Sequence, residues 1–128
     1  KPVPDGEALR GMKLLLLEEG HCFRDQALSF CNIQPAQPWQ GLEGSSLSTL
    51  VQMVGVGVGV TLLPEMAIAI ETSSAAVSVA RFSTPRPTRT IGMIWRKTSP
   101  LTPQLLQVSE VVKTSAANLR GQQKYPVK

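Results

Sequence analysis

The stretch Met12-Lys13-Leu14-Leu15-Leu16-Leu17-Glu18-Glu19-Gly20-His21-Cys22-Phe23-Arg24-Asp25-Gln26-Ala27-Leu28-Ser29-Phe30-Cys31 decides the fold of this 128-residue chain. Its first six residues are an apolar run of strand length, and Glu18-Glu19-Gly20 breaks it. Phe23, Ala27 and Phe30 then recur at the i, i+4, i+7 spacing of a helix. Strand, turn, helix is the α/β pattern. The same stretch holds both cysteines of the chain, Cys22 and Cys31. At a rise of roughly 1.5 Å and about 100° per residue, a helix keeps their Cα atoms ~13 Å apart and half a turn out of phase. That exceeds the roughly 7 Å reach of a disulfide, so bonding them requires the helix to unfold.

The two thiols are expected to differ. On the helical wheel Cys31 falls beside Ala27 and Phe23 on the apolar face, packed among phenylalanines, which keeps it protonated and sluggish. Cys22 lies to the side of that stripe, in the first turn. There the positive end of the dipole and unpaired backbone N–H groups favour thiolate, and His21 and Arg24 add positive charge. Asp25 opposes them unless it pairs with Arg24 or acts on the proton of a reactant. The pair reads as an attacker and a resolver. Two blander readings stand beside it, a pair of small buried hydrophobes or a structural disulfide. The second suits a secreted protein; no signal peptide is visible, and a start without Met marks the chain as an expected fragment.

Working outward, residues up to Gly11 read as a loop with at most one helical turn around Asp5 to Leu9. Downstream, Gln34-Pro35-Ala36-Gln37-Pro38 stops the helix, and Trp39 to Glu43 is a weak strand. Ser45 or Ser46 caps a helix through Val54 whose stripe is Leu47, Leu50, Val51 and Val54. Val58 to Leu63 reads as a buried strand, and Pro64-Glu65 opens a helical turn through Ile70. Val77 to Phe82 and Thr90 to Arg96 read as further strands, separated by a loop with Pro85 and Pro87. A helix follows from Thr102-Pro103 to Ala117, with Leu105, Val108, Val111 and Val112 on one face, and a polar, frayed tail begins at Asn118.

Composition excludes several classes. With 42% hydrophobic and 17% charged residues, the chain resembles a soluble globular domain able to bury an ordinary core. Its net charge of +4 is scattered without a basic stripe, so a solvated surface is favoured over nucleic-acid contact. Met53 to Ile70 is broken by Pro64 and Glu65 and is no membrane span. Gly55-Val56-Gly57-Val58-Gly59 follows a helix and opens a strand, the reverse of a nucleotide loop, so it reads as a tight turn with close backbone packing. One histidine and two cysteines make no zinc site, and no cofactor is implied.

The segment Leu14 to Cys31, with its Glu-Gly-His-Cys-Phe-Arg-Asp-Gln-Ala-x-x-Phe-Cys core, resembles the redox segment of the OxyR-type peroxide sensors among the LysR-type transcriptional regulators. Further matches keep register: Ser46-Leu47-x-Thr49-Leu50, Gly57-x-Gly59-x-Thr61-Leu62-Leu63-Pro64, Arg89-Thr90-Ile91-Gly92 and Ser99-Pro100-Leu101. The resemblance covers roughly residues 12 to 117. It implies an incomplete α/β regulatory domain of the type II periplasmic-binding-protein kind. Residues 1–88 form most of the second subdomain, 89–117 the closing strand and helix of the first, and 118–128 a flexible tail.

By the same resemblance Cys22 is the peroxide-reactive thiolate and Cys31 the thiol that captures its sulfenic acid as a disulfide. His21, Arg24, Asp25 and Arg89 shape the peroxide pocket. The protein is a cytoplasmic regulator rather than an enzyme. Its partners are hydrogen peroxide, further copies of itself as a dimer or tetramer, and a thiol reductant such as glutaredoxin or thioredoxin. DNA is contacted only through an N-terminal domain outside this chain, and no membrane is involved. Two other functions compete: a LysR-type receptor for a small organic effector, held by Ser45, Ser46 and Thr49, and a thiol peroxidase.

Overall fold

The computed structural model describes residues 6–34 and 39–122, which divide into two compact units, one through Pro87 and one from Thr88. In the first, a 3-10 turn at Glu7–Leu9 leads into β1 (Leu14–Leu17) and α1 (Cys22–Phe30). Then come β2 (Glu43–Gly44), α2 (Leu47–Gly55) and β3 (Val60–Thr61). A 3-10 turn at Glu65–Ala67 runs into α3 (Ile68–Glu71). Proline at 64 suits the start of that turn, since it gives up an N–H that would have no partner there.

β1 is the middle strand of a parallel sheet ordered β2-β1-β3, with Leu16 opposite Glu43 and Leu14 opposite Val60. A central parallel strand is covered on both faces, which is why four consecutive leucines can all be buried. Their side chains alternate. Leu14 and Leu16 join Leu9, Ala27, Leu28 and Cys31 in one cluster, while Leu15 and Leu17 join Leu50 in another. The α/β reading therefore holds from its first strand outward.

Ser46 caps α2 by accepting a bond from the Thr49 amide at 3.2 Å. The glycine run behaves as a tight turn: Gly57 has φ of +82°, and a Cβ on Gly59 would lie 2.2 Å from the Lys13 carbonyl. That close approach lets the Val60 amide bond the Lys13 carbonyl at 2.9 Å and start the β1–β3 pairing.

Several expected elements differ. β3 is two residues of half-buried strand rather than a buried run from Val58 to Leu63, and the weak strand at Trp39 to Glu43 shrinks to Glu43–Gly44. Val77 to Phe82 contributes only an isolated bridge at Phe82. Thr90 to Arg96 forms no ladder among the described residues, and Ile94 is 97% exposed. A strand needs a neighbour for its N–H and C=O groups, and periodicity does not supply one. The helix stop at Pro35 to Pro38 lies outside the described residues; α1 has already ended at Phe30, and Asn32 turns the chain with φ of 51°.

In the second unit α4 (Thr102–Gln122) passes the expected end at Ala117, because Asn118, Leu119 and Arg120 continue the helix. The expected tail beyond residue 122 lies outside the described residues. Val108, Val111 and Val112 on the anticipated face of α4 are exposed. Among the described residues no helix is long and apolar enough to cross a membrane.

Candidate functional site

Cys22 is the first residue of α1 and is exposed; Cys31 stands at the C-cap and is completely buried. Both thiols are free. His21 is the N-cap residue, with extended backbone and no side-chain cap, and its carbonyl accepts the Arg24 amide at 2.9 Å. At the other end the Cys31 amide bonds the Ala27 carbonyl at 3.0 Å. Eight residues of continuous helix, Phe23 to Phe30, therefore lie between the two cysteines.

The buried stripe of α1 is Arg24, Ala27 and Leu28, continued by Cys31, rather than Phe23, Ala27 and Phe30. Phe23 packs with Leu15, Leu17 and Leu50, away from the cluster that holds Cys31. Phe30 stays beside Cys31 and meets Phe82 edge to face, with ring centroids 4.7 Å apart. Burial in this cluster pushes the Cys31 thiol above its ordinary range, against a smaller downward pull from the Arg10 charge.

Arg24 departs from its expected place as positive charge for Cys22. Its guanidinium is turned inward and bonds the Leu17 carbonyl at 2.5 Å and Glu43 Oε1 at 2.6 Å. It pairs with Glu43 rather than Asp25 because the 24, 27, 28, 31 spacing faces the sheet, where the ends of β1 and β2 offer acceptors. Losing that guanidinium would leave a buried carbonyl and a partly buried carboxylate unpaired. Arg24→Met is expected to cost about 2–3 kcal/mol in urea denaturation, and Glu43→Gln in the same chain to recover about 1 kcal/mol. A cost below about 0.5 kcal/mol would refute the inward pairing.

His21 and Asp25 are exposed with Cys22 around the first turn of α1. Arg89 belongs to the second unit. Ser46 is occupied as the α2 cap, its hydroxyl also lying 3.0 Å from that of Thr49, while Ser45 is exposed. A cavity lined by Leu15, Phe23, Arg24, Leu50 and Thr61 measures about 10 Å³, room for one water, and none of Ser45, Ser46 and Thr49 lines it.

Two positions escaped the sequence reading. Glu43 sat in a weak strand with no sign of a partner. Arg10 bonds the carbonyls of Cys31 and Asn32 across 21 and 22 residues, a contact without a local pattern.

The family described as LysR substrate binding domain matches residues 1–117. The chain belongs to that family. Relatives of this LysR-type domain include Escherichia coli K12 OxyR, a DNA-binding transcriptional dual regulator. It is 42% identical over 105 residues, which are 82% of this chain and 34% of that protein. A probable hydrogen peroxide-inducible genes activator of Mycobacterium avium is 44% identical over 93 residues, 72% of this chain and 30% of that one.

A cysteine-to-serine mutant of Corynebacterium glutamicum OxyR, with hydrogen peroxide bound, superimposes with a TM-score of 0.81 at 28% identity. The match covers 93% of this chain and 38% of that one. The reduced OxyR regulatory domain of Pseudomonas aeruginosa gives 0.68 at 33% identity, covering 89% and 55%. The LysR-type chain thus spans about a third of the length of the curated relatives it matches. Its parallel sheet is that of an incomplete periplasmic-binding-like regulatory domain.

Proposed function

We propose that this LysR-type domain senses hydrogen peroxide through a reversible disulfide between Cys22 and Cys31. The observation that carries the reading is the contrast between the two free thiols, one exposed at the start of α1 and one buried beyond its end. The Cys22 thiolate attacks one peroxide oxygen, the O–O bond breaks, and protonation of the leaving oxygen gives water and Cys22 sulfenic acid. The Cys31 sulfur then displaces the sulfenic oxygen as a second water, so peroxide gains the two electrons the thiols lose. His21 and Asp25 flank Cys22 at the start of α1 in this reading, with Arg24 acting from behind through its bonds to Leu17 and Glu43.

Closing the disulfide means unwinding α1 and freeing Phe30 from Phe82, at about 1.5–3 kcal/mol for an aromatic of this kind. A helix that must be dismantled is a switch with two shapes. In a full-length regulator the rearrangement alters the surface presented to a second copy and so reorients the DNA-binding domains. A dithiol reductant such as glutaredoxin or thioredoxin resets it. The similarity to OxyR proteins supports peroxide as the oxidant and transcription as the output.

Thiol trapping and peptide mass analysis after one equivalent of peroxide tests this. The expected product is an intramolecular Cys22–Cys31 disulfide with loss of helical circular dichroism. Both thiols remaining free would sink the reading, and sustained peroxide turnover with a thiol reductant would favour a peroxidase.

A further inference from the structure

The C-terminal end of α1 is gripped from outside the redox segment. Arg10 follows the 3-10 turn Glu7–Leu9 and donates from Nε to the Cys31 carbonyl at 2.9 Å and from Nη2 to the Asn32 carbonyl. A helix leaves its last carbonyls open, and its C-terminus carries the negative end of the dipole, so a forked cation there answers both needs. Two further contacts come from the same short segment. Leu9 lies in the core cluster with Cys31, and a Cβ on Gly6 would meet the Phe30 carbonyl oxygen at 2.3 Å and the Cys31 Cα at 3.2 Å. Residues 6–10 thus hold the place where the buried thiol resides.

We propose that Arg10 is a positioning residue of the redox switch, whose forked bonds to the Cys31 and Asn32 carbonyls keep Cys31 at the end of α1 and thereby set how readily the disulfide forms. This rests on the Cys22–Cys31 disulfide proposed above. In this proposal Cys31 is the thiol that leaves its place to meet Cys22, so the Arg10 bonds present in the dithiol are given up in the disulfide. They stabilise one side of the equilibrium only. The charge of Arg10 also draws the Cys31 thiol downward, but burial dominates and the thiol is protonated at neutral pH either way. That pull therefore does not enter an equilibrium constant measured there.

The test is equilibration of the 128-residue chain with glutathione, in which oxidised glutathione accepts two electrons from the dithiol and is released as two reduced molecules. Arg10→Met keeps an apolar stem but loses the charge and the fork. Its constant for disulfide formation is expected to rise about tenfold, equivalent to a potential ~30 mV more negative. Gly6→Ala disturbs the grip from the backbone side with Arg10 intact and is expected to move the constant in the same direction by at least threefold; it decides the matter if Arg10→Met does not fold. The initial rate of peroxide consumption by Cys22, at the far end of α1, is expected to stay within about twofold of the parent. Constants within twofold of the parent, or lower, would overturn the role of Arg10 while leaving the disulfide standing. Absence of any Cys22–Cys31 disulfide in the parent chain would instead defeat the switch itself.

Discussion

Truncating Leu15 to alanine is expected to lower the stability of the first unit by about 3–4 kcal/mol, the largest effect of a single side chain in this fold. Leu15 has no exposed surface, sits in the middle strand of the sheet and packs with Leu17, Leu50 and the half-buried Phe23. A parallel strand covered on both faces cannot collapse around a missing isobutyl group without moving β2 or β3, which pair with it on either side. A domain of this size has only about 5–15 kcal/mol in hand, so the midpoint of urea denaturation should fall by more than about 1 M. Ile70→Ala, at a side chain 75% exposed, should stay within about 0.5 kcal/mol of the parent. Equal losses from the two would contradict the burial assigned to β1.

Local signals carried the reading as far as local physics reaches. The leucine run, the Ser46 cap and the proline at 64 specify their elements through nearest neighbours, and each lies where the sequence places it. Thr90 to Arg96 failed because strand formation depends on a partner that no local pattern names. Arg24 was misplaced for a different reason. It shares the i, i+3, i+4, i+7 stripe with Ala27, Leu28 and Cys31, and that spacing was available in the sequence. The sequence reading gives Arg24 to Cys22 as a nearby positive charge, whereas an arginine can enter a core when carbonyl and carboxylate acceptors converge on it. Arg10 left no comparable trace, since its acceptors lie 21 and 22 residues away at the end of another element.

Replacing the two cysteines one at a time should produce opposite failures rather than the same one. Cys22→Ser removes the exposed sulfur, and serine is no nucleophile toward peroxide at neutral pH without an activating base. Peroxide consumption is expected to drop by at least about a hundredfold, because the remaining Cys31 is buried and its thiol is held protonated by that burial. Cys31→Ser keeps the attacking group at the start of α1 and should consume the first equivalent of peroxide at close to the parent rate. With no resolver, Cys22 then stops as a sulfenic acid, visible as a gain of one oxygen atom and as a dimedone adduct. Excess peroxide carries it on to the irreversible sulfinic acid. α1 should retain its helical circular dichroism throughout, since no disulfide forces it to unwind, whereas the oxidised parent loses that signal. Equal loss of the initial rate in both variants would reverse the conclusion: the thiols would then act as a pair from the first step, which a helix holding them roughly 13 Å apart does not permit.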